Sequence, residues 1–172
     1  MKDYKVNFII IGAQKSGSSL IQYLLREHPK VKLNKGEIPI FEDPFYNKND
    51  IVNSLDIFEN YNDSKIYGFK RANYLGEPEV PYRIKQHFPN VKLICVLRNP
   101  VKRFVSAYFH YMKHGFIPVT PLNKGVDNIL QGKYLEKYNR SYEIIKFGFY
   151  HKYLKKYFDI FDRNQIILFL LR

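Results

Sequence analysis

The stretch from Phe8 to Leu25 constrains the fold of this chain more than any other. Four apolar residues, Phe8-Ile9-Ile10-Ile11, stop at Gly12. A run of small residues, Ala13-Gln14-Lys15-Ser16-Gly17-Ser18-Ser19, follows, and Leu20, Ile21, Leu24 and Leu25 then resume at helical spacing. That order predicts a buried strand, a tight turn and a helix. The first turn of a helix carries backbone N–H groups without intrahelical acceptors and the positive end of the helix dipole. A turn of this kind containing Lys15 therefore predicts a cradle for phosphate or another oxyanion.

Gly12 and Gly17 enclose four residues, as the glycines of a nucleoside-triphosphate P-loop do, but the rest of that motif is missing. It requires lysine directly after the second glycine and then a magnesium-binding Ser or Thr. Here Ser18 follows Gly17 and the lysine lies inside the loop. A cation within the loop, followed by hydroxyls, suits a phosphate held without a γ-phosphate and metal. A P-loop kinase is disfavoured on the same ground.

A chain of 172 residues suits one domain with a core. Its 45% hydrophobic and 17% aromatic content excludes a disordered chain. The formal charge of +12 predicts a positive field that attracts phosphates, sulfated sugars, nucleic acid or an anionic membrane, without choosing among them. Cys95, the single cysteine, sits in an apolar run and predicts core packing. The apolar run after the charged N-terminus is too short for a signal-peptide core or a membrane span, so a cytoplasmic location is expected.

Further along, strands are predicted at 31–33, 66–70, 91–97 and 165–171. Residues 34–44, with Pro39 and Pro44, read as a surface segment folded over a pocket, and a short helix is expected around 51–61. Val80, Ile84 and Phe88 mark a helix with Pro81 in its first turn. Asn99 and Pro100 form an N-cap and N1 pair for the next helix. Val101, Phe104, Val105, Tyr108, Phe109 and Met112 give that helix its expected apolar face. Ser106 falls at the edge of this face, within roughly 40° of Lys102 and Lys113 on an ideal wheel. Residues 115–139 read as a mobile connection with at most one short helix, placed to cover an acceptor. A last helix is expected over 142–161, weakened by Gly148, with Tyr150, Tyr153, Leu154, Tyr157, Phe158 and Phe161 on its face. Strands without alternation, separated by helices, predict a parallel sheet with helices on both faces. Ligands on such sheets bind at the carboxyl ends of the strands, and Lys15, Lys70 and Arg98 all follow strands at that edge.

Two stretches together carry a specific likeness. The loop Gly-x-x-Lys-Ser-Gly-Ser-Ser and the segment Leu97-Arg98-Asn99-Pro100-Val101-Lys102-Arg103-Phe104-Val105-Ser106-Ala107-Tyr108 resemble the two donor-binding motifs of sulfotransferases that use 3′-phosphoadenosine 5′-phosphosulfate (PAPS), of the heparan sulfate type. Three more stretches fit. Glu37-Ile38-Pro39-Ile40-Phe41 is similar to the family's Glu-x-x-Phe-Phe segment, Lys70 to Leu75 to its Lys-Thr-Pro-x-Tyr-Phe segment, and Phe147 to Tyr150 to the Gly-x-Tyr opening of a later helix. The Arg71-Ala72 pair departs from Thr-Pro.

The resemblance implies a three-layer α/β fold, a central parallel sheet flanked by helices like that of the P-loop-containing nucleotide hydrolases. It also implies transfer of a sulfuryl group from PAPS to a hydroxyl or amine, a carbohydrate or small-molecule alcohol among the acceptors. Carried over, the catalytic residues are Lys15, Glu37 and Lys70, with Glu37 as the base. The donor contacts are Gln14, Lys15, Ser16, Gly17, Ser18, Ser19, Arg98 and Ser106, and Arg98 and Ser106 hold the 3′-phosphate. No metal and no nucleic-acid partner are implied. Small-molecule sulfotransferases use a histidine base, and no motif marks His28, His87, His110, His114 or His151 for that role. In the family the last strand is followed by further segments, including a loop rich in glycine and lysine. The resemblance thus implies a single domain over 1–172 that lacks this C-terminal part. The alternative is a module with the same fold that binds the nucleotide or a sulfated glycan without turnover.

Overall fold

The computed structural model of the chain describes residues 5–51, 55 and 61–171. Strand β1 (Phe8–Gly12), helix α1 (Ser18–Arg26) and strand β2 (Val31–Leu33) come first, then β3 (Ile66–Lys70), α2 (Val80–His87) and β4 (Lys92–Arg98). Helices α3 (Pro100–Lys113), α4 (Leu122–Leu130), α5 (Glu143–Lys146) and α6 (Tyr150–Ile160) and strand β5 (Ile166–Leu171) complete the order. The sheet is β2-β3-β1-β4-β5, and every pairing in it is parallel. Its register sets Ile10 beside Lys70 and Gly12 beside Cys95, so the ends of β1, β3 and β4 share one edge.

The period-2 geometry of a strand divides the sheet between two cores. Ile9, Ile11, Phe69, Leu93 and Cys95 point to one face, where Ile84 of α2 and Leu154 and Tyr157 of α6 close over them. Phe8, Ile10 and Ile94 point to the other, against Ile21 and Leu25 of α1. Cys95 packs in the first core, and burial pushes its thiol up to about 12. Asn99 caps α3 as its sequence signal implies, accepting from the N–H groups of Val101 and Lys102 at 3.0 and 3.1 Å.

The structure departs from the sequence reading in several places. The 34–44 segment is not a surface flap, because Phe41 is 0% exposed and its ring packs against Phe69, Tyr74 and Phe88. The Tyr74 hydroxyl fixes it there by donating to the Ile38 carbonyl at 2.6 Å. The 115–139 connection does hold one helix, α4, but it is packed. Ile117, Ile129 and Tyr134 form a satellite core with Ala107, Tyr108 and Tyr111 of α3. The helix expected over 142–161 is two, α5 and α6, broken at 147–149. Most of the one expected around 51–61 lies outside the described residues.

Helix α3 buries a different face from the one its apolar pattern gives. Arg103, Ala107, Tyr108 and Tyr111 are buried, whereas Val101 is 67% and Phe109 49% exposed. The helix is turned by roughly 100°, because the Tyr111 hydroxyl finds a polar partner on α5, Glu143, that the apolar periodicity does not register. Strand β5 was expected to be buried. Among the described residues it has one neighbour, β4, and its residues from Ile167 to Leu171 are 39% to 77% exposed.

Gly12 is required by the way β1 ends. Its φ is +145°, and a Cβ there would lie 2.7 Å from the Ala72 carbonyl oxygen. Gly12→Ala is expected to destabilise the fold by about 2 kcal/mol or more in urea unfolding. A loss of only a few tenths would show that the backbone yields at this corner.

Candidate active site

The loop after β1 has two left-handed residues, Lys15 at φ 62° and Gly17 at φ 92°. Left-handed residues in a short turn are the backbone geometry of anion-binding concavities. Among the described residues, the N–H groups of Lys15, Gly17, Ser18 and Ser19 have no acceptor. Gly17 also has a packing reason, since a Cβ would come within 3.1 Å of Leu171.

Cations converge on this loop without carboxylates. Burial lowers the pKa of the Lys15 ammonium, and Arg98, at the end of β4, and Lys113, on α3, lower it further. None of the three has an ion-pair partner among the described residues. Mutual repulsion of this kind is relieved by a bound anion. His110 belongs to the same field. Its pKa is lowered by burial and then by Lys15, His114, Lys113 and Arg140. The sequence marks no histidine for the site, so this one was missed. A turn of α3, rather than a motif, brings it in.

Beside the cations stands a clamped carboxylate. Lys70 is 3% exposed, which rules out a surface strand-end lysine, and its ammonium meets Glu37 Oε1 at 2.7 Å. It also donates to Ser19 Oγ at 3.0 Å, so it joins the loop to Glu37. Glu37 Oε2 accepts from the Ala72 N–H at 3.1 Å and faces Arg71 Nη1 at 3.4 Å. Arg71, which replaces the threonine of the related motif, then reaches Glu42 Oε1 at 2.7 Å. A carboxylate has about four acceptor positions. Glu37 uses three, and one on Oε1 remains.

The other carried-over residues divide. Ser106 is half-buried on α3, and no hydrogen bond joins it to Arg98. Ser18 is buried. The Ser16 hydroxyl is turned inward and shares a 3.2 Å hydrogen bond with Tyr150, while its N–H donates to the Ala13 carbonyl. Gln14 Nε2 donates to Asn73 Oδ1 at 3.1 Å and to the Tyr111 hydroxyl at 2.9 Å. Tyr111 in turn donates to the buried Glu143, which Arg140 holds at 2.8 Å. Gln14 and Ser16 thus brace the loop from behind. Their partners, Asn73, Tyr111 on α3 and Tyr150 on α6, left no signal in the sequence, because residues far apart in the chain make these bonds.

Glu77 lies among Glu42, Glu143, Arg71 and Arg140. Burial first, then Glu42 and Glu143, push its carboxyl from 4.5 up to about 7. The folded state thus holds a proton there that the unfolded state loses, and stability falls as pH rises through 4.5 to 7. Glu77→Gln removes that loss. It is expected to match wild type near pH 4.5 in thermal unfolding and to exceed it at pH 8. A variant no more stable than wild type at pH 8 would refute the assignment.

A protein-family model, the sulfotransferase domain, matches residues 5–170. A membrane-associated sulfotransferase, kil1, of Dictyostelium discoideum is 36% identical over 106 residues, covering 59% of this chain and 22% of the relative. A bifunctional heparan sulfate N-deacetylase/N-sulfotransferase 1 of Caenorhabditis elegans is 26% identical over 164 residues, covering 94% of this chain and 19% of the relative. The chain therefore spans about a fifth of these relatives. The crystal structure of a sulfotransferase from Alicyclobacillus acidocaldarius superposes with a TM-score of 0.81 at 25% identity, over 97% of this chain and 73% of that one. With nearly the whole described chain under the family model and the same sheet in a solved relative, the chain belongs to the sulfotransferase domain family.

Proposed function

We propose that this domain transfers a sulfuryl group from PAPS to a hydroxyl or amine acceptor. The observation that carries the reading is the join made by Lys70, which ties an unpaired cationic loop to a carboxylate with one free acceptor position. The loop fits the donor's anionic end: the N–H groups of Lys15, Gly17, Ser18 and Ser19 have no acceptor among the described residues, and Arg98 and Lys113 act on Lys15 with no ion-pair partner there. PAPS supplies a sulfuryl group on a phosphate leaving group, the S–O bond to that phosphate breaking as the bond to the acceptor forms. Lys15 and the loop N–H groups meet the charge that builds on the leaving oxygen. Glu37 takes the acceptor proton, and Lys70 and the Ala72 N–H hold its carboxylate in place. Arg98 and Ser106 are assigned to the 3′-phosphate, Arg98 through its planar fork. A carbohydrate acceptor is in keeping with the named heparan sulfate relatives.

One observation favours a second reading, a nucleotide-binding module without turnover. Two cations already occupy Glu37. Radiolabelled PAPS offered to a panel of sugar, amine and alcohol acceptors separates the two. Arg98→Ala is expected to weaken the bisphosphate product, adenosine 3′,5′-bisphosphate, far more than adenosine 5′-phosphate in calorimetry. Equal losses would remove Arg98 from the 3′-phosphate. Glu37→Gln is expected to bind the bisphosphate normally and lose about a hundredfold or more in turnover. Unchanged turnover would move the base elsewhere.

A further inference from the structure

Arg103 is the largest fully buried side chain, at 0% exposure. One Nη2–H donates to the Ile144 carbonyl at the α5 end, while Nε and Nη1 have no acceptor among the described residues. The groups that act on it electrostatically are the hydroxyls of Tyr150, Tyr111 and Tyr153, none of them a carboxylate. The nearest buried carboxylate on α5, Glu143, is matched by Arg140. An arginine cannot shed its proton inside a protein, so this is a charge held in the interior without a counter-ion. Such a group is costly to bury, and a neutral side chain could cap the Ile144 carbonyl equally well.

Its position explains where that cost is recovered. Arg103 shares a face of α3 with Tyr111, and Tyr111 donates to Glu143 and accepts from Gln14 in the anion loop. Tyr150 shares its hydrogen bond with Ser16 in the same loop. Two of the loop's side-chain links therefore run through tyrosines that feel the guanidinium. The break between α5 and α6 packs against it, a Cβ on Gly148 falling in ordinary van der Waals contact with Arg103 Nε at 3.5 Å. We propose that Arg103 is a fixed positive charge built in behind the Gln14–Ser16 loop and left unpaired in the protein, so that the anionic 5′ end of the donor supplies its counter-charge. Tyr111 and Tyr150 tie the loop to the helices around Arg103 through Gln14 and Ser16. In a low-dielectric interior a unit charge acts through an intervening side chain with little screening. Arg103 touches no reacting atom and serves as a positioning and field residue. The inference rests on the donor reading above.

The test compares Arg103→Met and Arg103→Lys with wild type, each titrated calorimetrically with adenosine 3′,5′-bisphosphate, adenosine 5′-phosphate and inorganic pyrophosphate well below the unfolding temperature. Arg103→Met is expected to bind both nucleotides on the order of tenfold more weakly, by equal factors, because the charge acts at the shared 5′ end. Its ligand-free unfolding temperature is expected to equal or exceed wild type, since an unpaired buried charge has been removed. Arg103→Lys, which keeps the charge, is expected to stay within about threefold of wild type. Unchanged affinity in Arg103→Met overturns the proposal. So does an equal loss in Arg103→Lys, which would make shape rather than charge the cause. So does a marked fall in ligand-free stability in Arg103→Met, which would make the guanidinium a structural cap. A wild-type protein that ignores both nucleotides sinks the donor reading, and the pyrophosphate titrations then decide Arg103 by the same comparisons. Wild type that binds no pyrophosphate either overturns both.

Discussion

Mutual repulsion among positive charges is the constraint that shapes the functional edge of this sheet. Burial, and then Arg98 and Lys113, lower the affinity of Lys15 for its proton, and none of the three has an ion-pair partner among the described residues. Left to themselves these side chains would swing apart into water. They stay together because each is rooted in a rigid part of the fold: a left-handed loop after the central strand, the end of β4 and the far end of α3. The parallel sheet, its two cores and the Asn99 cap all serve to hold that arrangement. A pre-assembled field of this kind stabilises developing negative charge without having to reorganise at the moment it forms.

The cationic loop and the carboxylate of Glu37 occupy two sides of the same edge. On the cation side the loop has free donors, whereas on the other side Lys70, Arg71 and a backbone N–H hold Glu37. Lys70 is the only described residue with bonds to both the loop helix and that carboxylate. A displacement at either end is therefore felt at the other.

Local signals in the sequence account for much of this. The β1-loop-α1 unit and the β4-Asn99-Pro100-α3 junction are written in consecutive residues, and they set Lys15 and Arg98 on the edge where the structure has them. What the sequence does not disclose depends on partners distant in the chain. The buried face of α3 is chosen by Tyr111 reaching Glu143 on α5, against the helix's own apolar pattern. The inward turn of Gln14 and Ser16 depends on Tyr111 and Tyr150, more than ninety residues away. Phe41 is drawn inside by aromatic neighbours from three separate places in the chain, Phe69, Tyr74 and Phe88. Periodicity describes which residues are apolar, but it is blind to a polar group that has found a buried partner.

Strand β5 bears on how the protein behaves in bulk. Among the described residues β5 pairs with β4 alone, and such an edge strand, carrying the exposed Ile167, Leu168, Phe169, Leu170 and Leu171, is a template for pairing with another chain. At low ionic strength the net charge of +12 keeps copies apart. Added salt shortens the range of that repulsion and leaves the apolar attraction intact. Colloidal stability of this domain therefore runs opposite to the usual salting-in of a charged protein, with dilute buffer protecting it and brine exposing the strand to its neighbours.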